Sequence, residues 1–213
     1  MKRLMEALEG NFNGFPEVTD AVKNKAPKYG NDDDRADDIM QDVFEAYRKT
    51  VTGRPNTRGG EFRVNMLPTT CHIYFGEVTG ALPNGRLAGK PLSEGISPTQ
   101  GADVNGPTAA LLSASKMDQL KTGGTLLNQK FTPSVVSGDK GLDGMACLVA
   151  AYFELEGHHI QFNVVDRQTL RDAQANPDDY RDLIVRVAGY SDHFRNLSRA
   201  LQDEIIERTE HTP

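Results

Sequence analysis

Apolar residues recur at helical spacing in several parts of the chain, and each such stretch predicts an amphipathic helix. These stretches are residues 39–47, 108–117, 142–153, 169–174, 177–181 and 197–205. Pro177 would occupy the first position of its short helix, where a missing N–H group does no harm.

Strands are predicted between these helices, at residues 72–75, 125–131, 159–165 and 183–187. Residues 159–165 alternate in character, which places the polar side chains of Gln161 and Asn163 on one face of their strand. Strands that alternate with helices predict an α/β fold. The long stretch between residues 55 and 107 is rich in Gly, Pro, Asn and Thr, and irregular stretches of this length are often functional.

An acidic run, residues 31–34, precedes the first long helix. A metal site is one interpretation of this run. No Gly and Glu follow at the spacing of a calcium loop, so a capped helix start with a negatively charged first turn is favoured.

Composition narrows the class of protein. Only 38% of the 213 residues are hydrophobic, which indicates a loop-rich fold or a core completed by residues outside the chain. A net charge of −6, with basic residues scattered among acidic ones, argues against nucleic acid as a partner. No stretch has the apolar length of a signal peptide or a membrane span. Cys71 and Cys147 form no CxxC motif, which predicts a reducing cytoplasm, and Cys147 is expected in a helix core.

The segment that carries chemistry is residues 186–194, where a predicted strand runs into Gly189, a polar turn and a helix. A turn glycine with positive φ is the simplest interpretation. The second interpretation is chemical, because loss of an α-hydrogen from glycine leaves a radical that the flanking planar peptide groups delocalise. Any other residue has a Cβ that would clash with neighbouring carbonyl groups in this planar state.

The sequence of this segment, RVAGYSDHF, resembles the glycyl radical signature of the pyruvate formate-lyase superfamily. Its Ala-Gly-Tyr-Ser version looks like the glycerol dehydratase-like branch. Other segments resemble that branch in the same order: KYGNDDD, LPNGRLAGKPLSEGISP, NGPTA, GTLLNQKF, HHIQFNVVD and LQDEIIERTEH. Residues 69–72 and 93–98 look closest to the hydroxyproline dehydratase type.

The resemblance implies a fold: the C-terminal part of a ten-stranded barrel of two antiparallel half-sheets surrounded by helices. Residues 1–107 would end the barrel domain, and residues 108–213 would form the glycyl radical domain. The radical would be a protein-borne cofactor on Gly189. The residues expected to support its loop are Arg186, Val187, Ala188, Tyr190, Ser191 and Phe194.

The resemblance also implies partners. A radical activase with an iron–sulfur cluster and S-adenosylmethionine would generate the radical, so no bound metal or organic cofactor is expected in this chain. The other implied partners are the N-terminal barrel portion, a second subunit in a homodimer and a small polar substrate whose C–O, C–N or C–S bond is broken. No membrane partner is expected.

The family relays its radical through a cysteine in a Gly-Cys-Val-Glu loop, and neither Cys71 nor Cys147 has that context. The chain alone is therefore expected to be inactive and to act as part of a longer lyase. Two alternatives stay open: a stand-alone spare part that restores a damaged larger enzyme, or a segment of a formate acetyltransferase-type enzyme.

Three polar side chains are candidates for a substrate pocket. Arg86 could bind an anionic group or form a structural ion pair. Gln161 and Asn163 could bind a substrate or belong to a buried hydrogen-bond network. His158 and His159 project to opposite faces of a strand, which disfavours a shared metal ion.

Overall fold

The structure is a computed structural model that describes residues 1–67 and 69–212. Helices and short strands alternate and are joined by long irregular segments, as the sequence predicts. The elements are α1 (Lys2–Glu9), α2 (Pro16–Asp20), a π-helical turn (Ala21–Lys25), α3 (Asp34–Val51), α4 (Cys71–Glu77), α5 (Gly106–Ser115), a 3-10 turn (Gln119–Lys121), β1 (Leu127–Phe131), α6 (Gly138–Glu154), β2 (Ile160–Val164), α7 (Arg167–Ala175), β3 (Ile184–Arg186), β4 (Ser191–His193), a 3-10 turn (Phe194–Asn196), α8 (Arg199–Glu207) and β5 (Glu210–His211).

Two small sheets organise the C-terminal half. β1 lies between β2 and β5 and is parallel to both, with Leu127 opposite Ile160. β3 and β4 form an antiparallel hairpin. Asn163 of β2 exchanges two hydrogen bonds with the backbone of Arg186 in β3, each 2.8 Å long, and thereby joins the hairpin to the parallel sheet.

Two apolar clusters form the core. The first lies between the hairpin, α7 and α8, and its buried members are Leu126, Val165, Leu170, Ala173, Val185, Val187, Ala188, Phe194, Leu201, Ile205 and Ile206. The second lies between α3, α5 and β1, and its buried members are Phe44, Val64, Ile96, Leu111, Ala114, Met117, Leu127 and Tyr152. The first cluster packs directly beneath the hairpin, so it fixes the position of the segment that the sequence analysis singled out.

Local capping explains where several helices begin. The side chain of Asp33 accepts a hydrogen bond from the Arg35 amide at the start of α3, and Ser198 accepts one from the Leu201 amide at the start of α8. The predicted helices at residues 39–47, 108–117 and 169–174 are confirmed.

Two predicted elements outside the glycine segment are wrong. Residues 72–75 belong to α4 rather than to a strand, because a short apolar run does not distinguish the two structures and His72 turns inward as part of a helix. Residues 177–182 form consecutive turns rather than a helix. No helix in the two described ranges is both long and apolar enough to cross a membrane.

The outer faces of α3 and α6 are apolar and exposed. Ile39 and Val43 of α3, and Leu142 and Phe153 of α6, each keep at least half of their surface accessible. Cys147 is also exposed, which corrects the expectation that it is a core residue. The apolar residues between positions 142 and 153 do recur at helical spacing on α6. Among the described residues, however, no element packs over Cys147.

Candidate active site

Gly189 lies at the tip of the β3–β4 hairpin. Its φ angle is +79°, a left-handed conformation that favours glycine, as expected for a turn glycine. The Val187 amide donates a 2.8 Å hydrogen bond to the Tyr190 carbonyl and closes the turn. Val187 and Ala188 are buried, whereas Gly189 and Tyr190 are exposed. The predicted helix after the glycine is instead strand β4 and a single 3-10 turn, which begins at the fully buried Phe194.

The space around Gly189 does not itself require glycine. Among the described residues, and apart from its two chain neighbours, a Cβ atom added there would meet only Leu126 Cδ1, at an ordinary contact distance of 3.8 Å. Gly95 differs, because a Cβ at that position would collide with the Leu126 backbone carbonyl. Packing therefore excludes larger residues at Gly95, whereas at Gly189 only the positive φ opposes them.

Gln161 connects the parallel sheet to the glycine itself. Its Oε1 accepts hydrogen bonds from the Gly189 amide at 3.2 Å and from Arg186 Nε at 2.8 Å. Its Nε2 donates to the Val187 carbonyl at 3.3 Å and to Asn128 Oδ1. Arg186 also donates to Ser191 Oγ at 3.3 Å, across the hairpin. The polar face of β2, which carries Gln161 and Asn163, is thus its buried face, and its hydrogen bonds hold the hairpin against the sheet.

A buried ion pair supports the hairpin from the other side. Arg208, which follows α8, donates from Nη1 to the Val187 carbonyl at 3.2 Å. Its guanidinium binds the Glu204 carboxylate, with Nη2 and Oε2 2.8 Å apart. Gln100 donates to Glu204 Oε1 at 3.1 Å, and His72 Nε2 lies 3.6 Å from Oε2. Burial alone would raise the pKa of Glu204, but the contacts with Arg208 and His72 together outweigh burial, and the pKa is lowered.

Glu94 is a second buried carboxyl in the same region. Burial raises its pKa to about 7, although Arg208 and a hydrogen bond from Asn128 Nδ2 favour the ionised form. Ser97 Oγ also donates to Glu94 Oε2, at 3.4 Å, whereas Oε1 has no partner among the described residues. Beside Glu94 lies a cavity of about 20 Å³, room for roughly one water molecule.

Arg86 is buried but forms no ion pair with any residue that the structure describes. Its guanidinium donates to the backbone carbonyls of Thr79, Gly80 and Lys90. Burial lowers its pKa. The structure therefore places Arg86 in a loop of the irregular stretch, where it binds main-chain oxygens.

The cysteines and neighbouring histidines are dispersed. Cys71 begins α4, half-buried, and a hydrogen bond with Tyr74 lowers the pKa of its thiol. His158 is exposed, whereas His159 is half-buried and its pKa is lowered by burial. The two histidines thus occupy different environments, although both precede β2 rather than alternating on a strand as the sequence predicted.

The acidic run before α3 surrounds a lysine. Lys116 Nζ lies 2.8 Å from Asp32 Oδ1, 2.7 Å from Asp34 Oδ1 and 2.8 Å from Asp37 Oδ2. The ammonium group occupies the centre of the only cluster of three potential ligand residues in the part of the chain that the structure describes. Together with the Asp33 cap, this arrangement confirms the capped helix start.

Comparison with known families identifies the chain. A family described as "Glycine radical" matches residues 92–195, which contain the hairpin, and one described as "Pyruvate formate lyase-like" matches residues 1–76. The chain belongs to the glycyl radical enzymes. The predicted family is thereby confirmed, and the solved structures described next confirm the predicted α/β barrel segment.

Relatives of known activity align over the whole chain. A trans-4-hydroxy-L-proline dehydratase from Clostridioides difficile is 68% identical over 212 residues, and its crystal structure superposes with a TM-score of 0.96. A glycerol dehydratase structure from Clostridium butyricum is 46% identical with a TM-score of 0.94 and covers 100% of the chain. An isethionate sulfite-lyase from Oleidesulfovibrio alaskensis is 42% identical over 99% of the chain. The chain spans only 26–27% of each of these proteins.

The sequence analysis missed most of the side chains beneath the hairpin of this glycyl radical enzyme segment. They are Glu94, Asn128, Glu204 and Arg208. One signal was readable, because Glu204 and Arg208 share a helix face with the apolar residues Leu201 and Ile205. A charged pair on an apolar helix face indicates a buried ion pair. Asn128 carried no comparable signal, since its partners are distant in sequence.

Proposed function

We propose that this chain is the radical-bearing region of a glycyl radical lyase and that Gly189 carries the radical. The chain spans 27% of the hydroxyproline dehydratase it resembles, so turnover is proposed for this region together with a barrel portion that supplies the thiyl cysteine. The observation that carries the proposal is the exposed hairpin glycine whose α-carbon has free space and lies within the segment matched to the glycine radical family.

The hairpin residues are proposed to position the radical. The peptide groups on either side of Gly189 delocalise the unpaired electron when they are coplanar with the α-carbon. Val187 and Ala188 anchor one strand in the core, and Phe194 anchors the other. Arg186 is held to β2, and Ser191 is held to Arg186. Tyr190 is the exposed neighbour of the glycine.

The reaction proposed for the complete enzyme is radical elimination of water from a small polar substrate. A relative that is 68% identical is a trans-4-hydroxy-L-proline dehydratase, so a hydroxylated cyclic amino acid is the proposed substrate. A radical S-adenosylmethionine activase is the proposed source of the glycyl radical. We further propose a cytoplasmic homodimer, with residues 1–107 in the barrel domain and residues 108–213 in the radical domain.

Activation followed by exposure to air tests the radical assignment. Activase-treated protein should show a glycyl doublet in anaerobic electron paramagnetic resonance spectra, and oxygen should then cleave the chain into fragments ending near Ala188 and beginning near Tyr190. Gly189→Ala and Gly189→Asn should show neither signal. Asn tolerates a positive φ, so the second variant is the control that retains the hairpin conformation. Cleavage elsewhere would place the radical on another residue.

A second candidate function is a spare part that restores a larger enzyme whose own glycine segment has been cleaved. It is favoured by one observation: among the described residues, the fully buried members of the apolar cluster beneath the hairpin all come from residues 126–206, although the partly buried Ile73 also packs against them. The test adds activated chain to an air-cleaved hydroxyproline dehydratase. Recovery of turnover that requires Gly189 supports the spare part, whereas no recovery supports a fixed region of one enzyme.

A further inference from the structure

The side chain of Gln161 faces the radical hairpin with a defined orientation. Its oxygen accepts from the Gly189 amide and from Arg186 Nε, and its nitrogen donates to the Val187 carbonyl and to Asn128 Oδ1. Gln161 is buried, so an amide flipped by 180° would leave several buried donors and acceptors mismatched. The backbone groups of the hairpin therefore specify one of the two orientations.

The same orientation follows independently from the other end of the network. Glu94 Oε2 accepts a hydrogen bond from Asn128 Nδ2, and it retains an accepting lone pair in either protonation state, because Oε1 has no partner in the described ranges and can hold the proton. Asn128 must then present Oδ1 to Gln161. Gln161 must then donate from Nε2 to Asn128, which leaves its Oε1 to accept the hydrogen bond from the Gly189 amide.

We propose that Gln161 is a positioning residue for the glycyl radical, oriented by Glu94 through Asn128 so that an acceptor oxygen always faces the Gly189 amide. This inference rests on the proposed radical at Gly189. The amide proton stays on nitrogen. Its hydrogen bond increases electron density on that nitrogen and fixes the peptide plane, and both effects strengthen the overlap between the nitrogen lone pair and the half-filled orbital of the α-carbon.

Asn163 provides a matched control on the same face of the same strand. It lies two positions from Gln161 and also docks the hairpin through hydrogen bonds, but both of these go to the backbone of Arg186, and none goes to Gly189. A role limited to docking predicts that Gln161 and Asn163 variants behave alike. A positioning role predicts that only Gln161 variants change the properties of the glycine.

Hydrogen exchange of the full chain before activation tests the contact without any radical. In Gln161→Met, exchange of the Gly189 amide should accelerate about fivefold or more, the value of one net hydrogen bond. Gln161→Glu retains the acceptor and should stay within about twofold of the parent, even if its melting temperature falls. Asn163→Leu should accelerate exchange at Arg186 only. Asn128→Leu, with Gln161 intact, should accelerate exchange at Gly189 by a smaller factor. Unchanged Gly189 exchange in Gln161→Met would overturn the inference.

Electron paramagnetic resonance of the activated protein, labelled with ¹⁵N-glycine, tests the consequence. The nitrogen coupling should change in Gln161→Met and match the parent in Gln161→Glu and Asn163→Leu, and the Gln161→Met radical should decay about fivefold faster. If the nitrogen coupling and the radical decay change equally in Gln161→Met and Asn163→Leu, Gln161 only docks the hairpin, and the inference is overturned. Absence of a doublet in the parent would refute the radical assignment and with it the role of Gln161 in positioning a radical, whereas the exchange experiment tests the contact between Gln161 and the Gly189 amide by itself.

Discussion

The hairpin region buries several polar side chains, whereas the outer helices α3 and α6 expose several apolar ones. Beneath the hairpin, β2 buries Gln161 and Asn163 and leaves Val164 exposed. On α3 and α6, apolar side chains such as Val43 and Phe153 are exposed. Buried polar groups need directional partners, and around the hairpin they find them within the chain. Large exposed apolar faces need a covering surface, which indicates that further protein packs on α3 and α6.

The two regions therefore have different roles: the hairpin region holds its residues in position, and the outer helices provide surfaces for contact with further protein. A polar interior holds the hairpin in one geometry, because each hydrogen bond has a direction. The apolar faces of the outer helices have no such directionality, and they suit the contact with a barrel portion that the relatives' greater length supplies. Substitutions in the two regions should therefore differ in both size and kind.

The largest effect is expected from breaking the buried ion pair. Glu204→Leu leaves the Arg208 guanidinium buried without a counter-charge and should lower the free energy of unfolding by about 3–5 kcal/mol, measured by denaturant titration. The double variant Glu204→Leu with Arg208→Met removes both charges and should recover most of this loss. A single variant as stable as the parent would show that the pair is solvated.

Two adjacent residues of α3 compare a covered and an uncovered face directly. Phe44 is 6% exposed and Val43 is 65% exposed. Phe44→Ala should destabilise the chain by about 3 kcal/mol or more, whereas Val43→Ala should change its stability by less than about 0.5 kcal/mol. When the barrel portion is present, the same Val43 variant should lower the free energy of unfolding by a larger amount. An identical, small effect in both settings would contradict the covering of this face.

Glu94 gives the hairpin region a dependence on pH. Its pKa is raised from 4.5 to about 7, so its contribution to stability is fully present below pH 4.5 and is lost as the pH rises through 7. Between pH 5 and 8 the parent should lose up to about 3 kcal/mol relative to Glu94→Gln. Comparison with this variant cancels the titration of Asp103 and His211, and Glu204 and Arg208 are charged throughout the range. Parallel stability curves would contradict the assignment.

The sequence alone drew attention to Gly189 and the residues beside it, but not to most of the buried side chains that hold the hairpin in place. Gly189 is the proposed radical site because a radical on the backbone requires a residue without Cβ and because the flanking residues resemble a known signature. Glu94, Asn128 and Gln161 meet only after β1 and β2 pair in register, with Asn128 opposite Gln161. The helix at residues 71–77 was mistaken for a strand for a related reason, since His72 is buried beside Glu204, a residue far away in sequence.

The smallest expected effect concerns Cys147, whose thiol is exposed on the uncovered face of α6. Cys147→Ser should change the stability of the chain by less than about 0.5 kcal/mol, because the thiol contributes nothing to a packed core. The informative measurement is the rate of labelling by a thiol reagent. The chain alone should react quickly at Cys147, and addition of a barrel portion should slow the reaction, because a covering surface excludes the reagent. If Cys147 is labelled slowly in the chain alone, and dilution of the protein makes the labelling fast, then a second copy of the chain covers α6. Equally fast labelling with and without the barrel portion would show that this face of α6 stays open to solvent, and the contrast between the two regions would then reflect the amino-acid composition of α6 rather than its assembly.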